Sequence, residues 1–156
     1  MSLKSKMEYL EKDLKAHPIR ISAYADFPFA IFRYSPDEEW TLRKEIRLLK
    51  TRVEEEDRRI SLWSMSDVMW DSLSREDALE PIFEMEKKRG FQKAQEQVTT
   101  YLTDRDFQSV DRILTEKYSN LDPKKDIVFL WRLGSLSPNI LRLSGLIERL
   151  HSGKAI

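Results

Sequence analysis

The sequence predicts an α/β protein with a small, open, mainly parallel sheet of three or more strands, in the order 2-1-3, flanked by helices. Three observations lead there. Apolar runs too short for helices recur at Phe27–Arg33, Arg59–Ser64 and Asp126–Arg132. The first does not alternate with polar residues, as expected of a strand buried on both faces. Amphipathic helical patterns separate them, which calls for a parallel sheet with right-handed crossovers. The first crossover is a single helix, so the first two strands lie side by side. The long second crossover returns to the other side of strand one. That makes strand one central and puts the topological switch point, where ligands and partners bind in open sheets, between strands one and three.

The elements follow in order. Leu3, Met7, Leu10 and Leu14 recur at helical spacing, giving an amphipathic helix over residues 3–16 that His17-Pro18 ends. After the first strand, Ser35-Pro36-Asp37-Glu38 spells a helix start: a capping serine, a proline suited to the first helical position, and the glutamate of a capping box. This helix runs to Glu55 with Leu42, Ile46, Leu49 and Val53 as its buried stripe. The second strand, Arg59–Ser64, precedes a short helix capped by Ser66 and carrying Val68, Met69 and Leu73. A polar helical stretch from Ala78 to Lys117 is interrupted near Gly90 and again at Thr103-Asp104-Arg105-Asp106. The turn Asn120-Leu121-Asp122-Pro123 leads to the third strand, and Ser137-Pro138 opens a last helix through Leu150. The whole reads as one domain over 1–156, with residues 66–120 as the helical crossover.

Composition narrows the function classes. Lys plus Arg and Asp plus Glu number 27 each among 156 residues, so net charge does not support a sequence-independent DNA binder, which neutralises phosphates. There is no cysteine, which excludes disulfides and thiolate chemistry. No apolar stretch is long enough to span a bilayer, and the charged start lacks a signal-peptide core, so the expected location is the cytoplasm. With four glycines, neither nucleotide-binding glycine motif follows a strand. His17 and His151 have no zinc-motif spacing, and Asp104, Asp106 and Asp111 fit a solvated helix cap better than a metal site. No nucleophile elbow is present. No cofactor is expected.

Two surfaces remain. Arg33 and Arg132 end strands one and three, each followed by a Ser-Pro helix start. With Ser35, Gly134, Ser135 and Ser137 they make a candidate edge for a partner's carboxylate or a bound anion; the alternative to a partner is a phosphate- or nucleotide-binding enzyme or regulatory module that uses this edge. The competing reading pairs each arginine with a local acid such as Asp37 or Asp126. Arg43, Arg47 and Lys50 form a candidate basic face for DNA contact, against which interspersed glutamates argue for a solvated helix face. Trp63, Met65, Met69 and Trp70 read as core, with methionine filling gaps. Trp40 falls off the buried stripe and is open to two readings, packing under a loop or anchoring a partner.

FPFAIFRYSPDEEWTLRKEIRLLKTRVE and the late DIVFLWRLGSLSPNILRLSGLIERLHSGK resemble the BrxB family of bacteriophage-exclusion (BREX) defence systems. The features that match are Phe32-Arg33-Tyr34, Pro36, Glu38-Glu39-Trp40 and Arg132-Leu133-Gly134. The resemblance implies a small cytoplasmic component of a multi-protein system that methylates host DNA and blocks phage replication, and with no catalytic motif in the sequence the expected role is a non-catalytic adaptor. Its partners would be other BREX proteins, namely the alkaline-phosphatase-like, ATPase or methyltransferase component. It implies no catalytic residues. The resemblance implies a further strand after the last helix, whereas this sequence stops at Ile156: either the strand is absent in this member or the sequence is a shortened form, and if it is absent the sheet would have an edge open to a partner.

Overall fold

The computed structural model describes residues 1–21, 29–104, 110–122, 124–136 and 143–152. Among these, helices dominate. They are α1 (Leu3–Lys15), α2 (Glu39–Glu54), α3 (Met65–Arg75), α4 (Leu79–Arg89), α5 (Phe91–Thr103), α6 (Val110–Ser119) and α7 (Leu143–Ser152). Strands β1 (Arg59–Ser64) and β2 (Asp126–Trp131) pair as a two-stranded parallel sheet. The chain is α/β as expected, but the sheet is smaller.

The expected first strand is the main correction. Residues 29–33 carry no strand, and Phe27 and Pro28 lie outside the described residues. Ile31 is 64% exposed and Arg33 is exposed. The strands expected to be second and third are hydrogen-bonded neighbours, so the order 2-1-3 does not hold. An apolar run becomes a strand only when another strand lends it a free edge, and local pattern cannot supply one.

The chain forms two compact units, and the division falls inside both strands. The first unit holds residues 1–61 and 122–127. Here α1 packs on α2, burying Leu3, Met7 and Leu14 from one helix and Leu42, Leu49 and Val53 from the other. Ser2 caps α1 by accepting the Ser5 amide at 3.2 Å. Arg58, almost fully buried, donates to the Ala16 carbonyl at the end of α1 at 2.7 Å. The sequence-derived start of α2 is present in altered form. Pro36–Glu38 make a 3-10 turn, the Glu38 carboxylate accepts the Ser35 amide at 3.1 Å, and the α-helix begins at Glu39.

Asp126 anchors the start of β2. It accepts the Asp122 amide at 2.7 Å and both Nε–H and Nη2–H of Arg59 at 2.7 Å. The Asp122 amide first, and then the Arg59 guanidinium, hold this carboxyl below its ordinary range. A folded-state pKa below the unfolded value stabilises the fold above about pH 4 and is lost as pH falls through the folded value. Asp126→Asn should therefore flatten the acid limb of a stability-versus-pH curve measured by chemical denaturation. An unchanged limb would place the acid sensitivity elsewhere.

The second unit holds residues 62–121 and 128–156. The polar stretch after residue 78 resolves into three helices. Gly90 breaks it, with φ +85° and ψ 167°, a conformation almost confined to glycine. Helix α5 ends at Thr103 with Asp104 as its C-cap, and Arg105 and Asp106 lie outside the described residues. Helix α6 packs on α3 and α7, with Ile113, Leu114 and Leu146 fully buried. Trp63 meets the Tyr118 ring edge-on at 5.0 Å.

Candidate functional site

Helix α3 starts directly after β1, capped by Ser64, which accepts the Asp67 amide at 3.4 Å. The expected cap was Ser66. With Ser64 in that role, the Ser66 hydroxyl in the first turn is available for other contacts. Strand β2 ends at Trp131, one residue earlier than expected, and Arg132 turns the chain with φ +57°. For a residue with a Cβ this left-handed conformation costs about 1–2 kcal/mol. A 3-10 turn, Leu133–Leu136, follows, in which the Ser135 amide donates to the Arg132 carbonyl at 3.0 Å.

Because β1 and β2 are parallel, their carboxyl ends adjoin, and the residues after them meet. Arg132 donates from Nη1 to Ser66 Oγ at 3.1 Å, and its guanidinium lies 5.4 Å from the Trp131 ring centroid. Ser66 and Ser135 are the polar residues among those lining a groove of about 270 Å³. The rest of its lining is apolar: Met69, Trp70 and Leu73 from α3, Leu79, Ile82 and Phe83 from α4, and Val98 from α5. Trp70 is 54% exposed and Phe83 41%.

The Trp–Met cluster read as core is therefore divided. Met65 is fully buried, whereas Met69 and Trp70 line the groove. Sequence reasoning missed Leu79, Ile82, Phe83 and Val98 as one surface, since only the packing of α3 with α5 and of α4 with α5 brings them together. Arg132, Ser135 and the adjacent Gly134 are brought together in this second unit, and Ser137 lies outside the described residues.

Arg33 belongs to the first unit. Its carbonyl accepts from Lys6 Nζ at 2.8 Å, and Ser35, two residues on, donates its hydroxyl to Asp37. Asp37 accepts from Ser35 and Asp126 from Arg59, and neither pairs with Arg33 or Arg132 among the described residues. The basic face is partly neutralised. Arg43 pairs with Glu39 at 2.8 Å and Lys50 with Glu54 at 3.6 Å, leaving Arg47 as the member with no ion pair among the described residues. Tyr34 also donates to Glu39, which raises the pKa of its hydroxyl.

Among the described residues no helix is long and apolar enough to cross a membrane, and no group of three or more His, Asp or Glu residues is placed to hold a metal ion. The chain is a helix-rich α/β protein in which Arg132 hydrogen-bonds Ser66, one of the residues that line an apolar groove. This chain belongs to the BrxB family: the family model for BREX protein BrxB matches residues 61–155, a span that contains the groove and Arg132. The block from Phe32 to Trp40 lies outside that match. No curated protein and no solved structure matches the chain.

Proposed function

We propose that the protein is a non-catalytic, cytoplasmic adaptor of a BREX-type phage-defence system. It holds another component of the system (alkaline-phosphatase-like, ATPase or methyltransferase) by an apolar segment bearing a carboxylate. The observation that carries this reading is the groove lined by α3, α4 and α5, one of whose lining residues, Ser66, accepts a hydrogen bond from Arg132. An apolar side chain would fill the space between Trp70 and Phe83. A carboxylate beside it would meet the guanidinium and the positive end of α3 together.

Family membership supports the reading from a second direction. The phosphate-binding alternative gains little from a lining that is apolar apart from Ser66 and Ser135. The DNA alternative loses two of its three cations to Glu39 and Glu54.

Co-expression of the tagged chain with each of the other defence components tests the proposal. One component should co-elute with it, and Trp70→Glu, which puts a charge at the groove mouth, should abolish the complex. Elution of the wild-type chain alone in every pairing would refute the adaptor role.

A further inference from the structure

A second surface lies in the first unit, on the face of α2 opposite the one that packs on α1. The buried stripe of α2 is Leu42, Leu49 and Val53. Trp40, Lys44, Arg47 and Leu48 occupy the other side at helical spacing, and all four are exposed. Trp40 is 74% exposed and Leu48 53%. Exposed large apolar side chains set among cations of one sign differ from an ordinary solvated face, where both charges are interspersed.

Arg43, Lys50 and Arg52 are each neutralised, by Glu39 at 2.8 Å, Glu54 at 3.6 Å and Glu11 at 2.8 Å. Lys44 and Arg47 form no ion pair among the described residues, and neither has an acid three or four places away in the helix. The positive charge left over is thus concentrated beside Trp40 and Leu48. The Arg43 guanidinium sits 4.8 Å from the Trp40 ring centroid and is itself held by Glu39, so the indole is partly ordered before anything binds.

We propose that this face of α2 is a docking surface for an acidic, apolar-striped helix of a partner protein. Trp40 is the anchor, Leu48 extends the apolar contact along the groove between the two helices, and Lys44 and Arg47 pair with carboxylates flanking the partner's stripe. Exposed Trp and Arg side by side is the composition of interface hot spots. The inference concerns the first unit and stands apart from the groove, so the chain would have one docking surface in each unit.

The test uses the full chain and three fluorescent probes: a helical peptide with a Leu/Phe stripe flanked by glutamates, the same peptide with lysines for the glutamates, and a single-stranded oligonucleotide. The acidic peptide should bind and weaken as salt rises. Its affinity should fall about tenfold or more in Trp40→Ala and in the double variant Lys44→Glu/Arg47→Glu. Both changes are at exposed positions, and an unshifted thermal melt confirms that the fold is intact. Trp70→Glu in the groove should bind the peptide as the wild type does, which separates this inference from the adaptor reading of the groove. Equal binding of the acidic and lysine peptides would overturn the proposal, as would unchanged affinity in the double variant. Tighter binding of the oligonucleotide than of the acidic peptide would assign the face to nucleic acid instead.

Discussion

Replacing Leu114 with Ala is expected to destabilise the protein by about 3–5 kcal/mol, the upper part of the range for truncating a fully buried leucine. Leu114 has 0% exposure on α6, the helix that packs on both α3 and α7. The loss combines the transfer free energy of the removed methyls with the void left between three helices that cannot close fully. Thr115 next to it is exposed, and its hydroxyl donates to the Asp111 carbonyl within the same helix. Thr115→Ala should change stability by less than about 0.5 kcal/mol, as surface substitutions do. Urea denaturation of both variants checks the pair. A Leu114→Ala loss of under about 1 kcal/mol would mean that the core of the second unit repacks freely.

The second large effect separates backbone from side chain at one position. Arg132→Gly and Arg132→Ala both remove the guanidinium. Each should weaken binding of a defence partner by about 2–5 kcal/mol if a partner carboxylate buries that charge. The two should part in stability. Glycine adopts the φ of +57° without a Cβ penalty, whereas alanine keeps the strain, so the glycine variant should be the more stable by about 1 kcal/mol. Calorimetry of the partner interaction and thermal melts of the two variants give both readings. Normal binding by either variant would remove Arg132 from the interface. A glycine variant less stable than the alanine one would show that no left-handed strain is stored there.

The legibility of the fold divides along the same line as these predictions. The helices were legible because their causes lie within a turn or two of chain. Of the stripe Leu3, Met7, Leu10 and Leu14, all but Leu10 are buried; the break at Gly90 stands where the pattern put it, and the Ser35–Glu38 start is present as a 3-10 turn before the α-helix. Boundaries slipped where neighbouring residues competed for one role. Ser64 took the cap expected of Ser66 because β1 runs straight into α3, and that shift freed the Ser66 hydroxyl for Arg132.

The family was also legible, since the Arg132-Leu133-Gly134 block lies inside the matched residues 61–155. The site was legible only in part. Arg132 and Ser135 stood out as the end of an apolar strand and the turn after it. Their neighbour across the strands, Ser66, and the groove they border did not.

By itself, the sequence determined the helices, the α/β class, the absence of thiol chemistry and the family, because these depend on composition and on contacts between residues close along the chain. Tertiary structure decided which apolar runs are strands, since pairing requires a partner edge far away in sequence: β1 and β2 found one another, and residues 29–33 formed no strand. It also decided which charges and aromatics remain available. Arg52 is neutralised by Glu11, 41 residues away, and Asp126 is held by Arg59, 67 residues away. Trp40 and Trp70 are exposed while Met65 is buried. Helical spacing states which residues share a face, but only packing states which face is covered.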